Sequence, residues 1–233
     1  MANLPYKSAL IVGAGPGIGA SVARALTSAG LKVVVAARNP DRLRGVASTS
    51  DAIALEVDAT SPTSVAHLFE QTERVIGVPE VVLYNASGRV RGAITDLDPE
   101  LVRRSIEVSA FGAFLVLQQA AKRLVPLSRG AILLTGATAS VKGFANSASF
   151  AIGKFGLRGL AQSAARELAP KGIHVAHFVI DGAVRSQERL DPLEAPDSTL
   201  DPEAIAQTYL SVLAQHRSAW SWEVELRPWV EPY

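Results

Sequence analysis

The stretch Ala9-Leu10-Ile11-Val12-Gly13-Ala14-Gly15-Pro16-Gly17-Ile18-Gly19 constrains this chain more than any other. A short apolar run breaks into glycines, and Gly19 opens Ala20 to Leu26, which reads as a helix. Strand, glycine turn and helix aim a helix N-terminus, with its unpaired backbone N–H groups, at an anion. Glycines at 13, 17 and 19, with Gly15 and Ile18 among them, remove the side chains that would hold a pyrophosphate off the backbone. Many tight turns carry glycines without binding anything, so the motif gains meaning from its context. Here a βαβ unit follows, with a polar residue at the end of its second strand.

Leu31 to Ala37 is a continuous apolar strand, of the kind that suits the centre of a parallel sheet covered on both faces. Further strands are expected at 52–57, 81–84, 131–135, 174–180 and, alternating and edge-like, 222–227. Asn39-Pro40, Ser61-Pro62, Asp98-Pro99-Glu100 and Asp201-Pro202-Glu203 are helix starts. The helix from Pro99 is expected to run to Val125, where Pro126 stops it. Another spans 149–168 in spite of Gly153, Gly156 and Gly159, a stripe that admits a close neighbour. Residues 183–200 are polar, proline-bearing and without period, and read as a flap. The pattern predicts one α/β domain over 1–233, a doubly wound, Rossmann-type parallel sheet of about seven strands with helices on both faces. Its ligand belongs at the C-terminal strand ends, where Gly13, Arg38, Asp58, Asn85, Ala137 and Asp181 fall together.

Composition narrows the class. At 233 residues and 48% hydrophobic, the chain can bury one large core but not two. No apolar run approaches the roughly 18–20 residues that span a bilayer, and the N-terminus lacks the pattern of a signal peptide. The absence of cysteine rules out disulfides and thiolate metal sites and fits a reducing compartment. A net charge of +1 gives no drive toward nucleic acid or anionic lipid, and the four histidines show no metal spacing. A cytoplasmic protein with a small-molecule ligand, no metal, no nucleic acid and no membrane is the expectation.

Arg38 follows Ala36-Ala37 at the end of the second strand. A carboxylate at Ala37 would hold an adenosine 2′-hydroxyl and repel a phosphate; alanine followed by a guanidinium favours NADP(H) over NAD(H). Asp58, with Ala59, either accepts from an adenine amino group or caps the next turn. Asn85-Ala86 either lets backbone pass close to the adenosine or simply ends a strand.

With these residues in place, the chain resembles the short-chain dehydrogenase/reductase family over nearly its whole length. The glycine pattern is similar to the family's TGxxxGxG, with Val12 where threonine is usual. Tyr84-Asn85-Ala86-Ser87 looks like the NNAG turn. The run Asp181-Gly182-Ala183-Val184-Arg185-Ser186 looks like the PGxxxT segment, which implies cofactor contacts from Gly182, Val184 and Ser186. The resemblance also implies a homodimer or homotetramer built on the two long helices.

The family's catalytic pattern is mostly missing. Its lysine matches Lys154, while its tyrosine falls on Phe150, its serine on Ala137 and its asparagine on Ser109. In carbonyl reduction a phenol supplies the proton that follows hydride, and phenylalanine has none to give. Lys154 can still hydrogen-bond the nicotinamide ribose. Thr138 either holds a carbonyl oxygen or bonds backbone, and Asp181 either acts as an acid or pairs with Lys154 or its own turn. Ser109 either holds a water or is an ordinary helix serine. Two functions remain open: an NADP(H)-dependent oxidoreductase with a rebuilt proton route, and a non-catalytic NADP(H)-binding sensor or regulatory protein.

Overall fold

In the computed structural model, residues 4–186 and 189–231 are described, with the side chains of residues 40–42 set aside. Seven strands form one parallel sheet: β1 (Ser8–Val12), β2 (Lys32–Ala37), β3 (Ile53–Glu56), β4 (Val81–Tyr84), β5 (Gly130–Thr135), β6 (Ile173–Ile180) and β7 (Glu223–Leu226). Their order is β3-β2-β1-β4-β5-β6-β7, so β7 takes the edge and β1 and β4 flank the switch point. The expected doubly wound, Rossmann-type sheet is what the chain adopts.

Side chains alternate across β1, as a pleat demands. Ala9 and Ile11 join a core with α1 (Ile18–Ser28) and α7 (Pro202–Leu213). Leu10 and Val12 join the opposite core, with α3 (Pro62–Ile76), α5 (Gly112–Leu124) and α6 (Ala148–Leu168). This double burial is why β1 reads as uninterrupted apolar sequence. The short α2 (Pro40–Ser50) precedes β3, whose residues are only partly covered at the sheet edge.

Helix starts follow from local chemistry. Ser61 accepts from the Ser64 N–H, Asp98 from Glu100 and Asp201 from Glu203, each with proline in the first turn.

The helix expected from Pro99 to Val125 is broken into parts. It comprises α4 (Pro99–Ile106), a π-turn at Glu107–Phe111 and α5, and Pro126 sits inside a 3₁₀ turn (Val125–Leu127) rather than ending the helix outright. The physical reason lies beneath it. The buried Tyr84 hydroxyl donates to the Val108 carbonyl, and a Cβ at Gly112 would lie 2.5 Å from that same hydroxyl.

Two of the three stripe glycines on α6 face this helix within the protein. A Cβ at Gly153 would sit 2.6 Å from Ser109 Cβ, and one at Gly156 would sit 3.3 Å from Ala110 Cβ. Gly159 faces open space.

Candidate active site

The crevice opens where the β1 and β4 turns touch. Gly13 has φ +87°, and a Cβ there would fall 2.2 Å from the Ala86 nitrogen. The neighbouring turn therefore requires glycine at position 13. Asn85 fastens the junction, its Nδ2 donating to the Gly13 carbonyl at 3.0 Å. A Cβ on Gly19 would strike Ala14 Cα at 2.9 Å, so this glycine lets α1 pack against the turn that follows β1. Gly15 and Gly17 differ, because a Cβ on either would meet nothing within 4 Å. They leave bare backbone at the start of α1, which begins one residue earlier than expected, at Ile18. In its first turn the Ala20 and Ser21 N–H groups donate to the Gly15 and Gly17 carbonyls at 3.0 and 3.1 Å, while those of Ile18 and Gly19 lie ahead of any helical acceptor and carry the partial positive charge of the helix end.

Three connected hollows run along the strand ends. The first, of about 860 Å³, is lined by Gly13, Gly15, Arg38, Asp58, Ala59, Asn85 and Ala86 among others. Arg38 makes no ion pair among the described residues, and its charge helps hold the Asp58 carboxyl below the usual range. The larger causes of that lowering are the Thr60 hydroxyl, 2.7 Å from Asp58 Oδ1, and the Thr60 N–H at 3.0 Å. The second hollow, of about 400 Å³, lies between Gly15–Gly19 and Val184, Arg185, Ser186 and Arg189. The third, of about 560 Å³, is lined by Lys154, Phe150, Ala137, Thr138, Ile18, Gly182 and Val184, with three arginines that are taken up below.

Lys154 is 3% exposed and donates to the Thr135 carbonyl at 2.7 Å; burial pushes its ammonium down to about 8. Its Nζ lies 5.8 Å from the centroid of Phe150, one helical turn earlier. Ala137 precedes a 3₁₀ turn (Thr138–Ser140), and its N–H is satisfied by the Ser140 hydroxyl. Behind this wall His177 Nδ1 is 3.0 Å from Glu223, and burial drives the imidazole down to about 4.

Two expected participants are placed elsewhere. Asp181 is buried, but its carboxylate is engaged by Arg227 at 2.5 Å and approached by Lys142 at 3.9 Å, not by Lys154. The Ser109 hydroxyl is stitched to the β4 turn, accepting from Gly88 N at 3.0 Å and donating to Gly88 O at 3.3 Å. Neither side chain lines the Lys154 hollow.

The segment 183–200 forms neither helix nor extended strand among its described residues; Gln187 and Glu188 of the expected flap lie outside them. It carries bridges Val184–Leu200 and Ser186–Arg189, and Arg185 binds Asp191 and Asp197. No helix is long and apolar enough to cross a membrane, and no cluster of three or more histidines and acids is arranged for a metal among the described residues.

Known proteins share this architecture. The family model for short chain dehydrogenases matches residues 7–189. The chain is 28% identical to an uncharacterized oxidoreductase of Staphylococcus aureus (strain N315), over 98% of this chain and all of that protein. A short-chain dehydrogenase from Rhodopseudomonas palustris superposes with a TM-score of 0.82 at 30% identity, covering 96% of this chain and 99% of the other. A metagenomic short-chain oxidoreductase solved in complex with NADP superposes with a TM-score of 0.82 at 26% identity, covering 97% and 99%. The chain belongs to the short-chain dehydrogenase/reductase family of oxidoreductases, whose members bind nicotinamide cofactors.

Proposed function

We propose that this protein is an NADP(H)-dependent oxidoreductase acting on a small carbonyl or conjugated compound by a proton route that does not use a phenol. The observation that carries the reading is the bare backbone of Gly15 and Gly17 before α1, beside a cleft bounded by Arg38 and Asp58. In this reading the first turn of α1 and Ser186 hold the pyrophosphate, with Ile18, Gly182 and Val184 leading on toward Lys154. Asp58, with Ala59 beside it, accepts from adenine, while Asn85 and Ala86 wall the adenosine. The exposed guanidinium of Arg38, next to an alanine, suits a 2′-phosphate. The NADP complex of the metagenomic relative supports the same preference.

When bound, the cofactor supplies or accepts a hydride. The chain's own residues must then orient the carbonyl and deliver a proton. In this reading Phe150 stands at the family's tyrosine position and Ala137 at its serine position, and neither has a hydroxyl. Thr138 lines the same hollow and can donate to a carbonyl oxygen. Lys154, with its ammonium near 8, can hold or release a proton at Nζ around neutral pH. Exposed Phe111, Phe114, Ile152 and Phe155 on the long helices support a homodimer or homotetramer, and the cytoplasm is the compartment the reading assigns.

A second reading is a non-catalytic NADP(H)-binding sensor or regulatory protein. It is favoured by the missing hydroxyls at Phe150 and Ala137 and by the engagement of Ser109 and Asp181 elsewhere. Titration with NADPH and NADH, followed by single-turnover mixing of the complex with diketones and quinones, separates the two. Oxidation that disappears in Thr138→Ala supports the enzyme; tight uptake without oxidation supports the sensor. No uptake of either dinucleotide overturns both.

A further inference from the structure

The third hollow carries two arginines, Arg89 and Arg91, that the proposed cofactor path does not use. Among the described residues its lining includes Arg89, Arg91 and Arg189 as well as Lys154, and no aspartate or glutamate. In a chain of net charge +1, four cations around one cavity of about 560 Å³ are not a matter of composition. None of the three arginines makes an ion pair among the described residues. Burial and the like charges of Arg91 and Arg189 push the Arg89 guanidinium down, so the cluster is held together against its own repulsion.

The loop that bears Arg89 and Arg91 is fixed on every side. Gly88 is clipped to Ser109 on the π-turn. Val90 exchanges two hydrogen bonds with the buried Ser149 hydroxyl of α6, at 3.1 and 2.8 Å. The Gly92 N–H donates to the Asn146 carbonyl at 3.2 Å. Arg89 itself lies over the Phe150 ring, its guanidinium carbon 4.8 Å from the centroid. Three anchors fix the backbone that carries both arginines, and the Phe150 ring holds the Arg89 guanidinium in place before any ligand arrives, which favours strong paired hydrogen bonds to an oxyanion. Phe144 and Phe150 supply apolar walls to the same hollow. Arg189 borders the second hollow too, so the clamp is centred on Arg89 and Arg91.

We propose that Arg89 and Arg91 recognise an anionic group on the substrate, so that the molecule admitted beside Lys154 is a carbonyl compound with an apolar body and a carboxylate or phosphate. The inference rests on the oxidoreductase reading for the word substrate, but the anion site can be tested apart from turnover. The probes are benzoylformate, its uncharged methyl ester and phenylphosphonate, added to protein saturated with NADPH and followed by saturation-transfer NMR. NADPH uptake is measured separately by fluorescence for each protein.

Benzoylformate or phenylphosphonate binds the parent protein and the ester does not; which of the two anions binds distinguishes carboxylate from phosphate. The Arg89→Ala/Arg91→Ala double variant loses about tenfold or more in that affinity, as expected for loss of charge-assisted hydrogen bonds, and keeps its NADPH affinity. Arg89→Lys retains charge without the planar fork and falls between the two. An ester that binds as tightly as the acid, an undiminished double variant, or a parent that binds neither anion overturns the inference. Failure to take up NADPH while benzoylformate still binds through Arg89 and Arg91 overturns the oxidoreductase reading and leaves the anion site standing.

Discussion

The Lys154 ammonium donates to the Thr135 carbonyl across 2.7 Å from a position almost closed to water. Burial lowers its pKa from the usual 10.5 to about 8, so between those values the folded chain binds fewer protons than the unfolded one. Stability attributable to this group therefore rises as pH climbs from about 8 to 10.5, and its cost is fully present below about 8.

Replacing Lys154 by methionine keeps the volume and removes the charge. The variant should be more stable than the parent at pH 7 by roughly 1–2 kcal/mol, after allowing for the orphaned carbonyl. That advantage should shrink at pH 10. Urea unfolding of both proteins at the two pH values gives the comparison; a difference independent of pH means that Lys154 is not charged at cost in the folded chain.

Arg38 gives a prediction about cofactor choice. Arg38→Ala should weaken NADPH binding by about tenfold or more while changing NADH binding little, because only the former loses a phosphate partner. Adding Ala37→Asp should reverse the preference. Fluorescence titration measures both dinucleotides, and equal losses for the two would show that Arg38 does not read the 2′ position.

Restoring hydroxyls should restore chemistry. Phe150→Tyr with Ala137→Ser puts a phenol near an ammonium whose Nζ now lies 5.8 Å from the ring centroid. Stopped-flow oxidation of NADPH by benzoylformate should speed up by about 10²-fold or more if proton delivery is what the parent lacks. No gain, with NADPH still bound, would place the obstacle in substrate binding.

The buried pair Asp181–Arg227 should act on stability. Arg227→Met leaves a carboxylate that is 7% exposed without its guanidinium and should cost about 3 kcal/mol. Asp181→Leu with Arg227→Met removes both charges and should be less destabilised than the single change. Thermal unfolding decides it: a double variant no better than the single one would show that the ion pair is not what the structure needs there.

Much of this was legible because it is local. The β1 turn, the continuous apolar strands and the proline helix starts at 62, 99 and 202 each depend on neighbouring residues, and all three starts are capped as expected. Phe150 could be placed because it shares one helix with Lys154. The rest is tertiary. Asp181 meets Arg227 because β6 and β7 pair side by side, with the Asp181 N–H on the Leu226 carbonyl. Arg89 and Arg91 sit in an aperiodic loop, and nothing in its composition says that Arg189 faces them. A glycine pattern does not reveal which neighbour approaches, so the close contact of Gly13 with Ala86 is not legible in it. Gly112, in the middle of an apparent helix, was the one local hint of the irregularity around it.

That irregularity has a mechanical consequence. Each hydrogen bond of the turn at Glu107–Phe111 encloses five residues instead of four, so the rod contains one amino acid more than a regular helix of the same number of turns. Removing one residue within it would let the rod close into a regular helix of the same number of turns, with everything downstream kept in register. Leu115, Val116 and Ala120, which face the sheet, would go on facing it. A single-residue deletion within Glu107–Phe111 should thus be tolerated better than one inside Gly112–Leu124, where every later side chain of the helix would rotate by about 100°.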